Sequence, residues 1–94
     1  MTHFALVYEF VGNFVERRAP FREAHLQLLR DAQARGLLLF SGPLGDPPDG
    51  ALLVCRAESA AAVEDFARAD PYVVAGIVTA WRVRPWTVVI GSLS

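Results

Sequence analysis

Leu37-Leu38-Leu39-Phe40-Ser41, then Gly42-Pro43-Leu44-Gly45-Asp46-Pro47-Pro48-Asp49-Gly50, then Ala51-Leu52-Leu53-Val54-Cys55-Arg56-Ala57, is the stretch that decides the fold. Two short apolar runs flank a segment dense in Gly, Pro and Asp, a composition that interrupts regular structure. The stretch predicts two consecutive strands joined by a loop over 42–50. The second strand, Ala51 to Ala57, is continuous enough in apolar residues to be central in a sheet.

Working outward, each side of this pair reads as a helix and then another strand. Upstream, Pro20 suits a first helical turn because its backbone angle is already helical, and Gly36 suits the position just past a helix end. Between them Phe21, His25, Leu28, Leu29 and Ala32 recur at helical spacing and form the inward face, opposite Arg22, Glu23, Arg30 and Asp31. Before the break at Gly12-Asn13, His3 to Phe10 is an apolar and aromatic strand. Downstream, Ser59 offers an N-cap to a helix that runs to about Ala69 with Val63, Phe66 and Ala67 facing inward. Asp70 caps a short further turn that begins at Pro71 and ends at Gly76. From Ile77 to Arg84 the residues alternate, Ile77, Thr79, Trp81 and Val83 against Val78, Ala80, Arg82 and Arg84, which predicts a last strand. Trp86 to Ile90 reads as an extra edge strand.

The order is β-α-β-β-α-β, the ferredoxin-like motif of the α+β class: a four-stranded antiparallel sheet with both helices on one face. The 94 residues make one domain, 1–94. Apolar residues make up 53% of the chain and charged residues 20%, which excludes disorder and leaves more apolar surface than one small core absorbs. The bare face of the sheet predicts a homodimer in which a second copy covers it.

A net charge of −1 gives no broad basic field, and no aromatic RNA-binding segment stands out, so no nucleic-acid partner is expected. All nine basic residues are arginine. Cys55 is the single cysteine, which rules out an internal disulfide or a paired-cysteine metal or redox site, and its apolar surroundings predict a buried thiol. No ligand spacing supports a metal, and no cofactor motif is present. The N-terminus has no basic region followed by a long apolar stretch, and no apolar run approaches the ~20 residues a membrane span needs. The expectation is a cytoplasmic protein with no membrane partner.

The topology gathers residues that lie far apart in sequence. His25 near the start of the first long helix, Asp70 just past the second helix, and the Gly42-Pro43 turn all fall at one end of the fold. A histidine beside a carboxylate is an acid–base pair: the carboxylate fixes the imidazole's tautomer and stabilises its protonated form. The same two residues also fit a packed core histidine and a helix cap. Arg22, three residues before His25, fits an anion-binding group or a surface ion pair. Tyr72 fits a hydrogen-bond donor or a packed ring. Trp81 and Trp86 fit a dimer interface, where large aromatics are favoured, and Arg82 and Arg84 face solvent or the partner chain.

Arg22-Glu23-Ala24-His25-Leu26, Ser41-Gly42-Pro43-Leu44, the run from Ala69 to Gly76 and the ending Val83-Arg84-Pro85-Trp86 together resemble the YCII-related family, in order and over nearly the whole chain. The resemblance implies a ferredoxin-like fold of the dimeric α/β barrel group and a histidine–aspartate pair suspected of catalysis. Carried onto this chain, the pair is His25 and Asp70. Arg22, Ser41, Gly42, Pro43 and Tyr72 are then the candidate substrate-binding residues. The function expected is a small cofactor-free enzyme that moves a proton in isomerisation, elimination or hydrolysis of a small polar or aromatic molecule. The alternative is a dimeric module that binds a small ligand, or regulates, without turnover.

Overall fold

Strand β1 (Thr2–Phe10) owes its place to strict alternation: Phe4, Leu6 and Tyr8 are buried while Ala5, Val7 and Glu9 turn the other way. A computed structural model describes residues 1–93 of the 94. After β1 come the short helix α1 (Phe14–Arg17), a single 3-10 turn (Ala19–Phe21), helix α2 (Arg22–Ala34), strands β2 (Leu38–Leu44) and β3 (Gly50–Ala57), helix α3 (Ala60–Ala69), the one-turn helix α4 (Pro71–Val74) and strand β4 (Val78–Pro85). The sheet is antiparallel throughout, in the order β2-β3-β1-β4. β3 lies between β1 and β2, and β1 lies between β3 and β4, so both crossovers carry their helices over the same face. This is the expected α+β ferredoxin-like arrangement.

The core lies between that face and the helices. Phe4, Leu6 and Tyr8 of β1, Leu53, Cys55 and Ala57 of β3, and Leu38 of β2 meet Ala32 of α2 and Val63, Phe66 and Ala67 of α3. Cys55 is fully buried, as its apolar setting predicts. Gly36 and Gly76 both have positive φ, 79° and 75°, and each follows a helix that ends two residues earlier.

Several boundaries differ from the sequence reading. The loop is only 45–49, because Gly42, Pro43 and Leu44 pair with Leu52, Ala51 and Gly50 and extend β2. Pro43 is tolerated because β2 is an edge strand, where a missing N–H costs no ladder bond. The first helix begins at Arg22 rather than Pro20, which lies in the preceding 3-10 turn, and α1 fills part of the expected connection. Phe21 stays partly exposed because it belongs to that turn and not to the helix face. Ser59 sits at the N-cap of α3, but its side chain makes no capping bond.

In β4 a bulge opposite Glu9 and Phe10 leaves Thr79 exposed, while Trp81 and Val83 pack on the core. Trp81 therefore belongs to the helix side, with the Arg68 guanidinium 5.7 Å from its ring centroid, and not to the outer sheet face. No strand forms at 86–90. Trp86 continues the ladder by one bond, its N–H donating to the His3 carbonyl at 2.8 Å, and the tail then leaves the sheet. Among the described residues no helix is long and apolar enough to cross a membrane.

Candidate functional site

The end of β1, the start of α2, the end of β2 and the α3–α4 junction converge at one edge of the helix layer, around a cavity of about 180 Å³. Asp70 stands at its back. The chain cannot continue α3 through Pro71, so Asp70 leaves the helix in an extended conformation and caps α4, with Tyr72 N–H donating to Asp70 Oδ1 at 3.0 Å. The aspartate has no exposed surface, yet its carboxylate is fully engaged. Tyr8 donates its hydroxyl proton to Oδ2 at 2.8 Å, and His25 Nδ1 lies 2.8 Å from Oδ1 and 3.0 Å from Oδ2.

With Tyr8 and Tyr72 both donating, the arrangement that satisfies every group has His25 donating its Nδ1–H to the carboxylate. That assignment follows from the network. It leaves Nε2 as the free nitrogen. His25 keeps 12% side-chain exposure and lines the cavity. Among the described residues no buried side-chain nitrogen or oxygen lacks a partner, so Nε2, which has none there, opens onto the cavity.

The imidazole plane is fixed as well as its tautomer. The Tyr72 ring stacks on it at 3.8 Å and 8°, and Phe14 meets Tyr72 edge-on at 5.5 Å. Phe14 in turn stacks on Phe10 at 3.6 Å. Burial pushes the Tyr72 phenol up from its ordinary value, opposed by the nearby Arg18 and Arg22 and reinforced by Asp70. Tyr8 is pushed up far more strongly, first by burial and then by the charge of Asp70, so it remains a proton donor to the carboxylate.

The candidate catalytic and substrate-binding residues meet here. Arg22, His25, Ser41, Gly42, Pro43 and Tyr72 line the cavity, and Asp70 is bonded from behind it. Ser41 and Pro43 face inward because their register partners, Leu53 and Ala51, are core residues. Gly42 alternates to the other side and reaches the cavity rim through its backbone.

Three contributors escaped sequence reading. Tyr8 is concealed in the apolar alternation of β1, and the signal available was a hydroxyl at an inward position close to the strand end that the topology sends to the site. Phe14 and Arg18 lie in a segment read as a connection. Arg18 carried no such signal, because it stands ahead of the 3-10 turn that separates it from the helix of Arg22. Among the described residues no three His, Cys, Asp or Glu side chains assemble as a metal cluster would.

Comparison with known proteins fits this architecture. The model of the YCII-related domain matches residues 1–87. An uncharacterised protein of Haemophilus influenzae is 30% identical over 89% of this chain and 95% of its own length. Protein YciI of Escherichia coli is 35% identical over 77% of this chain and 83% of its own. Among solved structures, the 5-chloro-2-hydroxyhydroquinone dehydrochlorinase of Burkholderia phenoliruptrix, in complex with 2,5-dihydroxybenzoquinone, superposes with a TM-score of 0.76 at 26% identity, over 90% of this chain and 93% of that one. With its family model matched over most of its length, its sheet order and its curated relatives in agreement, this chain belongs to the YCII-related family.

Proposed function

We propose that the chain is a small enzyme of proton transfer, with His25 as the acid–base group and Asp70 as its positioning partner. One observation carries the reading: a fully buried carboxylate receives three hydrogen bonds, one of them from a histidine whose opposite edge opens onto a cavity. A buried aspartate in this position serves to fix a tautomer and to support an imidazolium. Nε2 takes a proton from the substrate. The positive charge that then spreads over the ring is balanced by Asp70, and the same proton is returned to product or to a leaving group. Tyr72, stacked on the ring, keeps water from that side. Such a cycle asks for no cofactor.

The substrate class follows from the walls and from the solved neighbour. Phe10, Phe14, Tyr72 and Leu29 give the cavity flat apolar sides. About 180 Å³ compares with the ~150 Å³ cavity that takes one benzene ring. The neighbour is named for an elimination and binds a hydroxylated quinone, a ligand of that size. The reading is therefore elimination or isomerisation on a single hydroxylated ring.

We also propose that the protein works as a homodimer in the cytoplasm. The sheet face away from the helices carries Val7 and Leu52 beside Phe40, which is 53% exposed, and among the described residues no helix covers it. A lone buried cysteine suits a reducing compartment.

The test is turnover. Chlorinated and unchlorinated hydroxyhydroquinones are incubated with the wild type, His25→Asn and Asp70→Asn, and product and chloride are followed. The expected result is turnover by the wild type, with a loss of at least about 10² in both variants, the scale of a general acid–base contribution. An identified substrate turned over equally well by His25→Asn sinks the proposal. Ligands that bind and return unaltered identify the protein as a binding module instead.

A further inference from the structure

The cavity that holds the acid–base pair is lopsided in charge. Its wall includes two guanidinium groups, Arg18 and Arg22, and no acidic side chain, although the chain as a whole carries a net charge of −1. Asp70 is bonded behind the wall and is already matched by Tyr8, Tyr72 and His25. Elsewhere on the surface two arginines pair with acids, Arg30 with Glu23 at 3.2 Å and Arg68 with Asp65 at 3.2 Å, and the other five have no ion pair among the described residues but do not line this cavity. Among the described residues Arg18 and Arg22 have no such partner. Arg18 is instead held by packing, its guanidinium 5.3 Å from the centroid of the Phe14 ring that forms the cavity's side. Arg22 projects from the first turn of α2, one turn ahead of His25 and on the same face. The field of both guanidiniums reaches the interior, since both favour the ionised form of the Tyr72 phenol.

We infer that Arg18 and Arg22 form an anion-holding rim, and that the ligand of this cavity is a single-ring organic monoanion, a carboxylate or an acidic phenolate, with its ring among the aromatic walls. This rests on reading the cavity as the substrate site, and it adds the charge of the ligand and the residues that recognise it. Two unpaired guanidiniums at a half-open mouth cost little while water solvates them. They give charge-assisted hydrogen bonds once an anion arrives. The ring end finds the rings of Phe10, Phe14 and Tyr72, of which the two phenylalanines offer no hydrogen-bond partner for a second charge. A ligand of this kind is therefore oriented before chemistry: charge at the rim, ring toward the histidine edge. The arrangement also bears on His25, because an anion at the rim offsets two positive charges beside an imidazole that must become cationic.

The test compares benzoate with benzamide, its neutral isostere, by calorimetric titration of the full chain, with amide chemical shifts to place the ligand. Benzoate is expected to bind at least about tenfold more tightly than benzamide, the worth of one hydrogen bond to a charged group, and to shift amides of Phe14, Arg22 and Tyr72. In the double variant Arg18→Gln, Arg22→Gln the two ligands should bind equally, at the benzamide level. Arg30→Gln, which removes a paired surface arginine away from the cavity, should keep the full preference for benzoate. Equal binding of benzoate and benzamide by the wild type, absence of benzoate binding at millimolar concentration, or a preference that survives the double variant overturns the inference. Each of these leaves the proton-transfer reading standing as long as His25→Asn abolishes turnover. Conversely, loss of benzoate preference in the double variant supports the anion rim even where no turnover is found.

Discussion

The two faces of the sheet are built from the same four strands and do different work. On the helix side, every second residue of β1 and β3 is sealed: Leu6, Tyr8, Leu53 and Cys55 are all at or below 1% exposure. On the outer side Val54 is sealed as well, but Val7 and Leu52 are only half-buried, Phe40 and Leu44 are about half exposed, and Arg82 and Arg84 flank them on β4. The helix side closes one core and one polar cluster within a single chain. The outer side has apolar surface that the described residues leave uncovered, the surface on which the proposed dimer rests. Alternation along a strand thus separates most residues that fold the protein from those proposed to join it to a second copy, Val54 being the exception.

The sharpest way to break that comparison is a pair of substitutions one residue apart. Leu53→Ala empties a sealed position in the core and should cost roughly 2–5 kcal/mol in a urea melt. Leu52→Ala removes the same atoms from the outer face and should cost clearly less per chain, while weakening self-association measured by sedimentation across a dilution series. Equal losses of stability with no change in association would mean that the outer face is not an interface, and the proposed dimer would fall.

Much of this was legible in the sequence because period and punctuation speak directly about geometry. Alternation in Ile77–Arg84, Pro and Gly at the helix ends, and the apolar run before Cys55 fixed the element order, and the order alone brought His25, Asp70 and Gly42-Pro43 to one edge. What stayed hidden were features set by tertiary pairing. Gly42 to Leu44 look like a loop because Gly and Pro disfavour strands, but pairing with Ala51 and Leu52 overrides that preference. Trp81 reads as an interface residue by type, and only the bulge at Glu9 and Phe10 determines that it packs on the core. Tyr8 looks like one more apolar residue in a strand, because a sequence does not say which inward hydroxyl will meet a carboxylate 62 residues away.

Tyr8 is also the place to sharpen the comparison from the inner side. It is 1% exposed, and its hydroxyl is a polar group of β1 turned into the core. Tyr8→Phe keeps the ring and its packing but leaves Asp70 with two donors instead of three. The expected loss is about 1–2 kcal/mol of stability, the cost of a buried hydrogen bond with one partner removed. Because Tyr8 acts through Asp70 on His25, the variant should also move the pH profile of turnover, where a packing defect alone would lower the rate at every pH alike. An unchanged profile with unchanged stability would mean that the hydroxyl is idle. Gly50 also approaches this strand closely: a Cβ there would come within 2.5 Å of the Tyr8 carbonyl oxygen, so β3 can pair there only through a residue with no side chain.

Cys55 gives the smallest expected effect and the most direct check that the inner face is dry. Burial pushes its thiol up from 9.0 to about 11. In the unfolded chain the thiol gives up its proton near its ordinary value, whereas in the folded chain it keeps it until about 11. Below the unfolded value both states are protonated, and the thiol adds no pH dependence. Between the two values only the unfolded state ionises, so stability falls as the pH rises through that window. Tyr8 and Tyr72, also pushed up by burial, add a fall of the same sign at alkaline pH, but they are present in the wild type and in Cys55→Ala alike. The difference between the two proteins therefore isolates the thiol. Urea melts of both at a series of pH values between 8 and the folded-state value should show the variant less stable at the lower end, from its lost packing, with the gap narrowing as the pH rises. Parallel curves would mean that the thiol ionises as readily folded as unfolded, which a sealed inner face does not permit.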